Sequence, residues 1–139
     1  MSGLDTDQLH QLVPFSGELG IRLVAADPAA VRLELDWQAR LCTAAGVLHG
    51  GALMSLADTA GALCALLNLP DGADGTTTVE SKTNLLGAVR AGTVTALATP
   101  LHSGRTLIVV ETELRDGGGK LVVKTTQTQA VLRPRTRSE

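Results

Sequence analysis

The triplet His49-Gly50-Gly51 stands directly before a long apolar run, and Asp58 is the only charged residue between His49 and Pro70. A helix opening on such glycines offers unpaired backbone N–H groups and the positive end of its dipole. Glycine also lets another molecule approach the backbone closely. Together these suit an anion, or an oxygen on which negative charge develops during a reaction. Asp58 lies within a helical run otherwise made for burial, where an unpaired carboxylate costs several kcal/mol and so needs a reason. At about 1.5 Å per residue, Asp58 lies roughly 12 Å along the axis from Gly50. A carboxylate and an oxyanion site acting on one small carbonyl must be closer than that. The two halves of the site are therefore expected from different helices, in a dimer with shared sites. Two further features suit phosphates: Ser103-Gly104-Arg105 at a hairpin turn, with its N–H groups and guanidinium, and Arg90 on another loop.

Each feature has a plainer reading. His49 can cap a helix or fill a polar niche, Gly50 and Gly51 can form a tight turn, and Arg90 and Arg105 can be solvated charges. For Asp58 the plain reading is a salt bridge to an Arg or Lys on a neighbouring strand or subunit. Its own helical stripe holds Met54, Ser55, Gly61, Ala62 and Ala65, mostly small residues that leave room for a ligand or another subunit.

The elements that must position these residues follow from periodicity. Residues Asp5 to Val13 suit a short helix capped by Asp5 or Thr6, and Gly20 to Ala25 a short strand. Val31, Leu33, Leu35 and Trp37 alternate with Arg32, Glu34 and Asp36, the period of a half-buried strand. A loop of small residues runs from Ala39 to Leu48. From Gly50 the spacing becomes helical, through Leu53, Leu56, Ala57, Ala60, Leu63, Cys64 and Leu67, until Pro70 and the Asp71-Gly72-Ala73-Asp74-Gly75 cluster end it. Thr76 to Leu86, Gly92 to Leu101, Arg105 to Leu114 and Lys120 to Leu132 read as strands, broken at His102-Ser103-Gly104 and Asp116-Gly117-Gly118-Gly119. One domain over residues 1–139 is expected, of α+β class. A single helix that is apolar nearly all round is covered economically by one curved antiparallel sheet wrapped around it, the hotdog layout.

Composition excludes several functions. The formal net charge of −2 over 139 residues, with no basic block beyond the tail at Arg133, Arg135 and Arg137, argues against nucleic acid. Phe15 and Trp37 are the only aromatic residues, so no platform exists for stacking bases. Cys42 and Cys64 lack metal-ligand spacing and are expected to be buried reduced thiols, and no metal site is expected. No signal peptide is expected, and a cytoplasmic setting fits the cysteine usage. Gly50 to Leu69 is long enough to span a bilayer, but its Ala/Gly composition and the central Asp58 argue against a membrane role. Serine-hydrolase chemistry is disfavoured by the absence of a G-x-S-x-G elbow.

The string from His49-Gly50-Gly51 to Asp58 resembles the signature of the PaaI-type hotdog thioesterases: H-G-G, six residues, then an acidic residue. The run from Thr78 through Asn84 to Arg90 and Gly92, with Gly87-Ala88 where Pro is common, and the Ser103-Gly104-Arg105 hairpin resemble the segments that follow, so the similarity extends from about Phe15 to Leu132. The resemblance implies an acyl-CoA thioester hydrolase. Gly50 N–H would stabilise the tetrahedral oxyanion, and Asp58 of the opposing subunit would act as general base or as nucleophile. Thr78 would position water, with Thr76 and Thr77 as competing registers, and His49 would brace the loop. Gly51, Arg90, Ser103, Gly104 and Arg105 would bind substrate. Coenzyme A is part of that substrate, no separate cofactor is implied, and relatives form dimers that pair into tetramers. One departure stands out: Thr43 occupies the position, six residues before the His, where relatives often carry an Asn or Gln oxyanion donor. It supports a second reading, a catalytically weak acyl-CoA-binding hotdog protein.

Overall fold

A computed structural model describes residues 3–135, so Arg137 lies outside the described residues. Helix α1 (Thr6–Leu12) begins with a full capping box: the Asp5 carboxylate accepts from Gln8 N–H, and the Gln8 side chain accepts from Asp5 N–H. A second helix, α2 (Pro14–Leu19), was not expected. Its signals are Pro14 at the first turn and Gly20 in the left-handed conformation at the C-cap, but six residues are too few to show a helical period.

Strands β1 (Arg22–Asp27) and β2 (Ala30–Asp36) form a hairpin. Two 3₁₀ turns, Ala39–Leu41 and Ala44–Gly46, then lead into helix α3 (Gly50–Leu66). The helix stops at Leu67, before Pro70, because Pro and the glycine-rich cluster cannot continue it. Four strands follow: β3 (Gly75–Leu85), β4 (Thr93–Ser103), β5 (Leu107–Arg115) and β6 (Leu121–Leu132). Strand β4 runs through His102 and Ser103, expected to be turn, and takes up the irregularity in a bulge between Pro100 and His102.

All six strands pair antiparallel in one sheet of order β1-β2-β4-β5-β6-β3. β3 therefore pairs with β6 rather than with its chain neighbour β4, and forms one edge of the sheet. The inner face packs Val31, Leu33 and Leu35, the small Ala96 and Ala98, and Ile108, Val110 and Leu114 against Leu53, Leu56, Ala57, Ala60, Leu63 and Cys64 of α3. Alanine at the centre of β4 lets the helix approach the sheet closely. The curved sheet around one long helix is the hotdog arrangement, an α+β fold.

The helix is not covered all round in the single chain. Gly51, Met54 and Asp58 form an exposed stripe along it. Gly61, expected on the roomy stripe beside Asp58, is buried against the sheet instead. Among the described residues no helix is long and apolar enough to cross a membrane.

Candidate active site

The start of α3 is held by its own cap. His49 Nδ1 accepts from Gly51 N–H at 2.8 Å, and His49 C=O accepts from Ala52 N–H and Leu53 N–H. Gly51 N–H is thus occupied by the imidazole, whereas Gly50 N–H has no acceptor among the described residues. A Cβ at Gly50 would lie 2.7 Å from Leu85 Cδ1, the tip of an exposed side chain on β3 that would have to turn aside, so β3 passes close over the helix start. Leu48 N–H donates to Val89 C=O at 2.9 Å, tying the loop that carries Arg90 to this end of the helix. A recess of about 300 Å³ beside it is edged by Phe15, Arg40, His49, Gly51 and Ser55.

Asp58 sits two turns further along, open to solvent on one flank and packed by protein on the other. Among the described residues it has no salt-bridge partner. Its partner is neutral: Gln127 Nε2 donates to Asp58 Oδ1 at 2.7 Å. The same amide nitrogen lies 3.4 Å from Thr78 Oγ1, which also accepts from Gln129 Nε2 at 2.6 Å. Burial raises the Asp58 carboxyl above its ordinary range, and the Gln127 hydrogen bond partly opposes that rise.

Neighbouring elements build this cluster. Gln127 and Gln129 are fully or almost fully buried on the inner face of β6. A bulge in β3 between Thr78 and Glu80 lets Thr78 face Gln129 while Ser81 faces Gln127. The space for the Gln127 amide is the missing side chain of Gly61, where a Cβ would overlap Gln127 Oε1. That overlap is the physical reason Gly61 leaves no room for a ligand. Only the N–H end of the amide is compatible with an ionised carboxylate, which fixes how Gln127 is turned. Gln127 Oε1 and Thr112 Oγ1 are buried without a partner among the described residues.

The remaining expected residues are dispersed. Arg90 is exposed at the N-terminal end of α3. The Ser103-Gly104-Arg105 turn lies at the other end, where Arg133 donates to both Arg105 C=O and Asp71 C=O. The eleven residues of β4 separate the two by about 34 Å. Thr43 is exposed, and its N–H donates to Val47 C=O at 2.8 Å. Cys64 is buried, with its thiol pushed up to about 11 by burial, and Cys42 is only half-buried. Gln127 and Gln129 escaped the sequence reading. The signal available was Gly61, a glycine in the interior of a helix, which marks a close approach.

Set beside known proteins, a curved sheet wrapped round one long helix with this sequence is a thioester hydrolase. The thioesterase superfamily model matches residues 45–123, which include the whole of α3. The chain belongs to that superfamily. The thioesterase HI1161 of Haemophilus influenzae superposes with a TM-score of 0.87 at 29% identity, covering 99% of this chain and 97% of the other. A mutant of thioesterase PA1618 of Pseudomonas aeruginosa gives a TM-score of 0.85 at 30% identity over 94% of this chain and 96% of the other. In sequence, SSO2140 of Saccharolobus solfataricus, itself only provisionally named an esterase, is 32% identical over 87% of this chain and 85% of its own.

Proposed function

We propose that the chain hydrolyses acyl-CoA thioesters with Asp58 as its catalytic carboxylate. The observation that carries this is Asp58 itself: a carboxylate on the open stripe of the central helix, met by a neutral amide and, among the described residues, by no cation. A salt bridge would hold it strongly ionised and inert. A single amide donor leaves it able to take up a proton.

As a base, Asp58 removes a proton from water while the water oxygen bonds to the thioester carbon. The resulting oxyanion is stabilised by Gly50 N–H of a second subunit at its helix N-terminus. The C–S bond then breaks, the coenzyme A sulfur takes the proton, and the carboxylate is restored. As a nucleophile, Asp58 bonds to the thioester carbon and the C–S bond breaks to release the coenzyme A thiolate; water then opens the anhydride, freeing the acid and restoring the carboxylate, and the proton it gives up goes to the coenzyme A sulfur. Thr78, held by both glutamines, orients the water, and His49 keeps the Gly50 amide in place by capping the turn. Arg90 and the Ser103-Gly104-Arg105 turn reach the nucleotide end from different subunits, which their separation within one chain supports. Gly51 contributes close backbone approach to the substrate.

This mechanism requires a homodimer, or a tetramer built from dimers. β3 supports it: the strand ends the sheet, is eleven residues long, and leaves Val79 and Leu85 exposed, as is Leu86 just beyond. A cytoplasmic setting suits such a substrate. The test is thiol release from a panel of acyl- and aryl-CoA esters, wild type beside Asp58→Asn. Turnover by the wild type that vanishes in the variant is expected. Equal turnover by both removes Asp58 from the mechanism. Light scattering should give at least a dimer, and a monomer that still turns over would exclude the shared site.

A further inference from the structure

The exposed flank of Asp58 opens into a cavity of about 270 Å³ between α1 and α3. Asp58 stands at one end. Leu9 and Leu12 of α1 form one wall, and Ala62, Leu63 and Leu66 of α3 the other. Among the described residues Thr59 is the only other polar side chain in the lining, and its hydroxyl already donates to Ser55 C=O at 2.8 Å. The lining includes, among the described residues, no aromatic ring and no cation. From these observations, and resting on Asp58 as the catalytic carboxylate, we infer that this cavity takes the acyl group and that the group is an aliphatic chain of medium length.

The lining argues for the chemistry. A hydroxyaryl group would need partners for its buried hydroxyl, and here Asp58 is engaged at the reaction and Thr59, whose proton goes to Ser55 C=O, offers only an acceptor. A flexible aliphatic chain asks for no polar partner and gains from every methylene it withdraws from water. The dimensions argue for the length. Eight residues of helix separate Asp58 from Leu66, about 12 Å of wall. The volume lies just under the range of roughly 300–1,000 Å³ usual for small-molecule sites. A chain running from Asp58 towards Leu66 fills that space; a long fatty chain overruns it. The recess at the helix start, edged by Arg40 and His49, is more polar and suits the acyl group less well.

Binding and turnover together test the proposal. Non-hydrolysable alkyl-CoA thioethers of increasing length, with a benzyl counterpart, are titrated into the full chain by calorimetry. The matching thioesters are assayed for thiol release. Affinity should rise about fourfold per added methylene, then level off once the chain passes Leu66. Ala62→Leu, which fills the middle of the cavity, should move the optimum to shorter chains. Leu12→Ala, a change at an exposed residue, should weaken only the longer chains. Affinity that ignores chain length, or a benzyl group preferred over every alkyl chain, overturns the assignment even while Asp58-dependent turnover continues. The expected chain-length profile in binding, without turnover of any thioester, supports the cavity and instead removes the catalytic reading of Asp58.

Discussion

Strand β6 carries a polar cluster on each face, and the two are built on opposite principles. On the outer face Lys124 pairs with Glu111 at 2.8 Å and Glu113 at 3.0 Å, and Glu113 also meets Arg115 at 2.9 Å. Every charge there has an opposite charge, and each remains partly in water. On the inner face, one register step away, Thr125, Gln127 and Gln129 are buried among the side chains that face the helix. Thr125 shares a 2.9 Å hydrogen bond with Thr83, whereas Gln127 spends its donor on Asp58 and leaves Oε1 unpartnered among the described residues. Apolar residues at these inner positions would stabilise the core more, because a buried polar group with an unmade hydrogen bond costs free energy. The outer cluster is what a stable surface tolerates. The inner one makes sense only through the carboxylate it holds.

The sharpest way to break the contrast is at Asp58. Asp58→Asn should lower kcat by about 10²–10⁴-fold, the usual loss with a general base. Its effect on stability should have the opposite sign. The folded-state Asp58 carboxyl titrates above its ordinary value of 3.8. Its contribution to stability is therefore present below that value and lost as pH rises through the folded pKa. At neutral pH the ionised carboxylate is a cost, so the Asn variant should melt at a higher temperature, and the gain should fade in acid. Asn can still accept from Gln127 Nε2, so the cluster stays intact. Calorimetric melts of both proteins at neutral and acidic pH check this. A variant that melts lower at neutral pH would make Asp58 a structural residue.

Gly61→Ala attacks the cluster from behind. The added methyl overlaps the Gln127 amide, which must leave its slot. Overpacking of this kind costs about 1–3 kcal/mol, and turnover should fall with the displaced hydrogen bond. Denaturant melts and thiol-release assays on the same preparation test both parts. Unchanged activity would show that Gln127 is dispensable to Asp58.

Gln127→Leu separates packing from electrostatics. The hydrogen bond from Gln127 favours the ionised form of Asp58. Removing it should move the acid inflection of kcat/KM further up in pH, so the variant recovers activity in more alkaline buffer. A merely structural residue would lower activity equally at every pH.

The same contrast explains what the sequence reveals. Asp58 stands out as a lone charge in an apolar helix, and the His49-Gly50-Gly51 start has a distinctive spacing. Strands β5 and β6 are separated by turn residues, whereas β4 runs on through His102 and Ser103. Gln127 and Gln129 do not stand out, because Lys124, Thr126 and Thr128 on the opposite face are polar too and the alternation that marks a buried face is lost. The pairing of β3 with β6 and the bulge that turns Thr78 towards Gln129 are tertiary facts with no local signature. Arg90 and Arg105 have types that suit phosphate, but residue type carries no information about their placement at opposite ends of the sheet.

The smallest effect is expected on the outer face, and its conditions matter more than its size. Lys124→Met keeps the stem that lies on the sheet and removes the charge shared by Glu111 and Glu113. Exposed pairs of this kind contribute roughly 0.2–1 kcal/mol and are screened by salt. The ammonium of Lys124, followed by Arg115, holds the Glu113 carboxyl below its ordinary value of 4.5. A lowered carboxyl contributes stability above that value and loses it as pH falls through the folded pKa. The difference between wild type and Lys124→Met should therefore be greatest at neutral pH and low salt, and should shrink both in acid and in molar salt. Activity should not change, because nothing on this face touches Asp58. Melting curves over a grid of pH and salt would decide it. A loss that persists in molar salt would trace the role of Lys124 to its packing on the sheet rather than to its charge, and the two faces of β6 would then differ less than their chemistry suggests.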